Sequence, residues 1–173
     1  MSLVSILMGS DSDLPVMQEA ANVLEELGIS PDVHVLSAHR TPGAVVEYVE
    51  NAEKAGTKVF ICGAGGAAHL AGVVAAHTSL PVIGVPIANK ATAGIDALFS
   101  TVQMPPGIPV ATVAIGGAKN AGILAAQIIG ASDNAIRDHI AAYKKKLNTQ
   151  VLEKDAKLQE SGFKKYLEDQ KLI

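Results

Sequence analysis

A histidine and an arginine stand side by side at the end of an apolar run, in Val35-Leu36-Ser37-Ala38-His39-Arg40-Thr41-Pro42. Thr41 and Pro42 predict the start of a helix, because threonine can N-cap and proline at the first helical position has its φ preset. His39 and Arg40 therefore belong to a strand-to-helix turn. In an open α/β sheet such turns lie at the carboxyl edge of the strands, where ligands bind. A titratable imidazole beside a permanent cation points to proton transfer on an anionic substrate. A lone histidine is more often structural than catalytic, and it is the place after a strand, next to Arg40, that favours chemistry here.

Two further turns carry candidate groups. Gly9-Ser10-Asp11-Ser12-Asp13 follows Val4-Ser5-Ile6-Leu7-Met8. Hydroxyls and free amides at a helix N-terminus can hold a phosphate. Two aspartates do not suit a pure phosphate cradle, so at least one binds ribose hydroxyls or caps the helix; an ordinary N-cap turn is the plainer alternative. Gly63-Ala64-Gly65-Gly66-Ala67-Ala68-His69-Leu70 follows a third apolar run. Its small residues let backbone amides approach a ligand, or else let a helix pack tightly on the sheet. The spacing matches neither the dinucleotide fingerprint nor a Walker loop. His69 is expected in the first turn of a helix, where the dipole disfavours the imidazolium and a neutral hydrogen-bonding histidine results. A fourth segment, Ser100 to Pro109, holds three prolines and reads as a stiff loop, with Gln103, Met104 and Pro105 placed either to cover a ligand or to join a helix to a strand. His34, His77 and His139 have no evident partners. No cluster shows structural zinc spacing, and no metal is assigned.

The elements that must position these groups alternate along the chain. Strands are expected at Val4–Met8, Val33–Leu36, Val59–Cys62, Val82–Val85 and Val110–Ile115. Helices are expected over Met17–Leu27, Thr41–Ala55 and Lys119–Ile129. Continuous apolar runs, rather than alternating ones, predict parallel strands buried on both faces. The fold class is therefore α/β, a three-layer doubly wound parallel sheet of flavodoxin-like type. From Ser132 the composition turns polar and lysine- and glutamate-rich. Residues 1–131 read as the catalytic domain and 132–173 as an appended helical extension of one or two helices. Its sparse stripe of Ile140, Tyr143, Leu147 and Val151 either docks on a neighbouring subunit or packs on its own domain.

Composition narrows the function. Hydrophobic residues make up 49% of the 173 and aromatic ones 3%, so the core is aliphatic. With 14 basic and 17 acidic residues the net charge is −3, which argues against nucleic acid as a partner, as does the lack of stacking platforms. The lone Cys62 excludes an internal disulfide and fits a reducing cytoplasm. Neither a signal peptide nor a membrane span is expected.

Met8-Gly9-Ser10-Asp11-Ser12-Asp13, Ser37-Ala38-His39-Arg40-Thr41-Pro42, Gly63 to Leu70, Val102-Gln103-Met104-Pro105 and Lys119-Asn120-Ala121 occur together and in this order. The set, spanning roughly residues 3–130, resembles the 5-(carboxyamino)imidazole ribonucleotide mutase family of purine biosynthesis. The resemblance implies an isomerase without cofactor that moves a carboxylate from the exocyclic nitrogen of an aminoimidazole ribonucleotide to the adjacent ring carbon. His39 would be the general acid and base, and His69 a supporting catalytic group. Ser10 and Arg40, helped by Ser12, would contact the phosphate and Asp13 the ribose. Gly9, Asp11, Ser37 and Ala38 would complete the substrate site, and Gly65, Gly66, Ala67 and Leu70 would wall the carboxylate and CO2 pocket. Gln103, Met104 and Pro105 would serve a neighbouring subunit of a homo-octamer. Departures stand at Ala71, Ala97 and Thr101, where the family pattern has proline, serine and isoleucine; the last two are expected to tune the loop over the ligand. Three alternatives stay open at this level: a carboxylase using free CO2, a non-catalytic phosphate- or flavin-binding module, and a structural oligomer with no active site.

Overall fold

The computed structural model describes residues 2–171. In chain order it contains β1 (Val4–Met8), a single 3-10 turn (Asp11–Asp13), α1 (Leu14–Glu26), β2 (Asp32–Val35), α2 (Pro42–Ala55), β3 (Val59–Gly65), α3 (Leu70–Ala76), β4 (Val82–Ile87), α4 (Ile95–Val102), β5 (Ala111–Thr112), α5 (Ala118–Gly130), α6 (Asn134–Ser161) and α7 (Phe163–Asp169). The five strands pair in parallel, in the order β2-β1-β3-β4-β5. This is the flavodoxin-like order, with its reversal between β1 and β3.

Strand geometry turns successive side chains to opposite faces, and two apolar layers result. Val4, Ile6 and Met8 of β1 join Val59, Ile61, Ile83 and Val85 beneath α1 and α5. Leu7, Phe60, Cys62 and Val82 face α2 and α3, meeting Val45, Val49, Leu70 and Val74. Every residue of β1 and β4 is buried, as two covered faces require. The edge strand β2 departs from that expectation: Val33 and Val35 are 40% and 53% exposed, and β1 pairs with it on one side. Glycine at position 56 ends α2 with φ of 105°, a left-handed cap that L residues resist.

The bounds of β5 and α4 depart most from expectation. β5 shrinks to Ala111–Thr112, since only Ile83 and Gly84 of β4 remain to pair with it. α4 occupies Ile95–Val102, so Ser100 to Val102 are helical and the proline-rich loop begins at Gln103. Ala71, Ala97 and Thr101, where the sequence departs from the family pattern, are buried. Thr101 and Val110 fill the space that a side chain at position 84 would need, with Ala71 in ordinary van der Waals contact, so this part of the core is matched to a glycine in β4.

α6 begins as part of the core. Asp133 caps it by accepting from the Ile136 amide at 3.2 Å, and Ile136, Ile140 and Tyr143 are buried in the α1/α5 layer. Lys146 still reaches Glu26 of α1 at 2.7 Å, and beyond it Leu147, Val151 and Leu152 are exposed. Among the described residues no helix is long and apolar enough to cross a membrane.

Candidate active site

The parallel pairing brings the turns after β1, β2, β3 and β4 to one edge of the sheet. They enclose a cleft of about 530 Å³ lined by Ser10, Asp13, His39, Arg40, His69 and Asn89, among others.

The β1 turn is built by its own polar groups. Ser10, in extended backbone, caps the 3-10 turn: its Oγ accepts from the Ser12 amide at 3.3 Å, and Asp13 Oδ2 accepts from the Ser10 amide at 3.2 Å. This reciprocal capping box holds both hydroxyls at the mouth, with Ser12 Oγ 2.9 Å from Ser10 Oγ. Burial, reinforced by the charge of Asp11, pushes the Asp13 carboxyl above its ordinary range, although the Ser10 amide and Arg40 oppose the rise.

The β2 turn is folded around Ser37. Thr41 does not cap α2 with its side chain, as expected of it. Its Oγ1 instead accepts from the Ser37 amide at 2.9 Å and donates to the Ser37 carbonyl at 3.1 Å. Ser37 Oγ in turn accepts from the Arg40 amide at 3.2 Å. The Arg40 guanidinium crosses to β1, where Nη2 donates to the Gly9 carbonyl at 2.6 Å. Arg40 Nε also donates to Ser37 Oγ at 3.4 Å; a guanidinium has five N–H donors, so others are left for further partners.

The β3 turn supplies the second imidazole. His69 is the residue before α3 rather than inside its first turn. Its Nδ1 lies 2.8 Å from Nε2 of His39, with the rings edge to face at 4.9 Å between centroids. A single proton occupies that contact, since two N–H groups cannot point at each other. His39 Nδ1 and His69 Nε2 are left for other partners. The pair can therefore carry one proton and pass it on.

Of the residues singled out from sequence, Gly9, Ser10, Ser12, Asp13, Ser37, Ala38, His39, Arg40, Gly65, Ala67, His69 and Leu70 line this one cleft. Asp11 and Gly66 do not: Asp11 Oδ1 accepts from Ser10 Oγ at 3.2 Å, and the Gly66 carbonyl lies 3.5 Å from the Ser100 hydroxyl. Gln103, Met104 and Pro105 are also absent from the lining, and Met104 packs over Gly72 of α3. Sequence reasoning missed Ile87, Ala88 and Asn89. They follow β4, and the rule that places ligands beyond the carboxyl ends of strands applies to that strand as well. No group of three His, Cys, Asp or Glu side chains is placed to hold a metal among the described residues.

A family model described as AIR carboxylase matches residues 3–150. A Thermotoga maritima protein named N5-carboxyaminoimidazole ribonucleotide mutase is 56% identical over 167 residues, which is 96% of this chain and 98% of that protein. A Candida albicans phosphoribosylaminoimidazole carboxylase is 51% identical over 96% of this chain, which corresponds to 29% of its own length. Among solved structures, Treponema denticola PurE superposes with a TM-score of 0.83 at 34% identity, covering 90% of this chain and 97% of that one.

Proposed function

The chain belongs to the AIR carboxylase family, and on that footing we propose that it is an N5-carboxyaminoimidazole ribonucleotide mutase of purine biosynthesis, with His39 as its general acid and base. The observation that carries this reading is the 2.8 Å contact between His39 and His69, in the same cleft as Ser10, Asp13 and Arg40.

The phosphate of the ribonucleotide sits against the Ser10 and Ser12 hydroxyls and the free N–H groups of Arg40, a charge-assisted contact. Asp13 accepts from a ribose hydroxyl. The base then lies toward the His39–His69 pair, with Gly65, Ala67 and Leu70 as the wall around the carboxylate. The exocyclic C–N bond of the carbamate breaks and releases CO2, while the pair delivers a proton to the amine nitrogen. The adjacent ring carbon attacks the retained CO2 to form the new C–C bond. The pair takes the proton from that carbon. One proton is given and one recovered, so substrate and product are isomers and the enzyme returns to its starting state.

The reading extends to a homo-octamer acting in the cytoplasm. In it the part of the 132–173 extension beyond Lys146 docks on a neighbour, and Gln103–Pro105 of one subunit borders a neighbour's cleft. Support comes from apolar side chains that a single chain leaves uncovered: Phe99 (57% exposed), Val151 (65%) and Phe163 (65%). Native mass spectrometry reads the subunit number directly.

The deciding assay offers the carbamate ribonucleotide, and separately the aminoimidazole ribonucleotide with bicarbonate, and follows the 4-carboxylate. Turnover of the carbamate at low CO2 is expected. Turnover only of the aminoimidazole at high CO2 would assign the carboxylase reaction instead.

A further inference from the structure

The loop between β4 and α4 is built around one carboxamide. Asn89 Oδ1 accepts from the Ala91 amide at 2.8 Å, the Thr92 amide at 3.0 Å and the Thr92 hydroxyl at 3.1 Å. Asn89 Nδ2 donates to Asp96 Oδ2 at 2.9 Å. Asp96 also accepts from the Ala97 amide at 2.7 Å. The neighbouring Thr92 hydroxyl and Asn89 amide hold its carboxyl below the usual range. An ionised carboxylate only accepts and a backbone N–H only donates, so the two ends of the Asn89 amide cannot be exchanged. The loop is shaped for this grip: Ala93 takes a left-handed φ of 52° and Gly94 follows at 91°, a backbone an alanine adopts only when its surroundings hold it there.

A carboxamide nitrogen carries two N–H groups. The hydrogen bonds among the described residues use one of them, and Asn89 is one of the residues that line the cleft. Strand order gives the other an address. Arg40 follows β2 at one end of the cleft and Asn89 follows β4 at the other, with the β1 and β3 turns between them. Gly65, on the carboxylate wall, pairs in register with Ile87, two residues before Asn89. A ribonucleotide with its phosphate at Arg40 therefore turns its base and carboxylate toward Asn89.

We propose that Asn89 is a substrate-contacting residue whose free amide N–H donates to the carboxylate of the bound ribonucleotide, and that Asp96 is the positioning residue that aims it. For the identity of the ligand this rests on the mutase reading. It makes Asn89 a determinant of whether the cleft prefers the carboxylated to the uncarboxylated ribonucleotide.

The test is the affinity, by titration calorimetry, for two ligands: the 4-carboxylate product and the aminoimidazole ribonucleotide that lacks the carboxylate. Asn89→Ala is expected to weaken the carboxylated ligand about tenfold or more, as loss of a hydrogen bond to a charged group does, and to leave the other unchanged. Asp96→Ala shifts the ratio in the same direction. Asp96→Asn restores it in part, because its one amide oxygen can still accept from Asn89 while giving up the Ala97 amide. That pair reads the same ratio whether or not Asn89→Ala folds. Equal losses for both ligands, or no loss for either, would overturn the proposal. A shifted ratio in a protein that does not turn over the carbamate would refute the mutase reading alone. Turnover with an unmoved ratio would refute the role of Asn89 alone.

Discussion

The imidazoles of His39 and His69, thirty positions apart in sequence, meet at 2.8 Å because the turns after β2 and β3 flank the turn after β1 at the same edge of the sheet. The contact makes the two rings a single proton-carrying unit with one outward nitrogen on each. His39→Asn removes the carrier while the capping box and the Arg40 anchor remain. Turnover of the carbamate is expected to fall by about 10²–10⁴, the usual range for a lost acid/base group, with binding of the product nearly unchanged. His69→Asn is expected to cost less, since His39 remains to exchange the proton with the substrate. Steady-state kinetics with a separate binding titration checks both; a rise in KM alone for His39→Asn would remove His39 from the proton path.

Arg40 does two things at once: it ties the β2 turn to the Gly9 carbonyl and lines the cleft, where the proposed reading puts the phosphate. Arg40→Ala should raise KM by about 10–100-fold, the equivalent of about 1.5–3 kcal/mol for a hydrogen bond to a charged group, with a smaller effect on kcat. Arg40→Lys should recover only part of this, because an ammonium cannot span two acceptors as a planar guanidinium does. The KM of the alanine variant should also depend less on ionic strength than that of the wild type.

Much of this site is legible along the chain. Val35 to Pro42 announces a strand followed by a helix, and the chemistry lies in the two residues between. Asn89 was not legible in the same way, since Ile87-Ala88-Asn89-Lys90 carries no motif. Its importance arises only when β4 pairs beside β3 and the loop closes on Asp96. The Thr41 side chain misleads for a local reason: it can bond to the backbone ahead of it or behind it, and Ser37 takes it. Burial of β2 could not be inferred from apolar residues alone, because Val33 and Val35 look like core until the strand order puts them at an edge.

Asp13 carries a conflict between folding and binding. Its carboxyl titrates above the ordinary range in the folded chain, chiefly through burial. A group raised in this way contributes stability below its unfolded pKa, about 3.9 for aspartate, and loses that contribution as pH rises through the folded value. Asp13→Asn removes the loss and keeps an oxygen for the Ser10 amide. Its melting temperature should therefore match the wild type near pH 3.5 and exceed it increasingly toward neutrality. Its affinity for the ribonucleotide should fall, because a neutral amide accepts more weakly from a ribose hydroxyl than a carboxylate does. A melting difference independent of pH would contradict this account.

Tyr48 offers a control at the opposite end of the sheet. Its hydroxyl lies 2.8 Å from Asp32 Oδ2 and 3.0 Å from the buried Ser5 hydroxyl, which itself reaches Thr57 at 3.2 Å. An ionised Asp32 can only accept, so Tyr48 donates to it and receives from Ser5. Burial pushes the Asp32 carboxyl up, but the hydrogen bonds from Tyr48 and His34 outweigh it and the net shift is downward. A lowered carboxyl supplies stability above its unfolded pKa and loses it as pH falls through the folded value. Tyr48→Phe removes one hydrogen bond from each partner and should cost about 1–2 kcal/mol, or roughly 2–8 °C in Tm for a chain of this size. The gap from wild type should narrow on acidification from about pH 5 to pH 2, as Asp32 protonates in both proteins. Turnover at neutral pH should be unchanged, because Ser5 and Asp32 pair near the amino ends of β1 and β2, away from the cleft. Reduced turnover at a temperature where both proteins are fully folded would mean that this network reaches the active site after all.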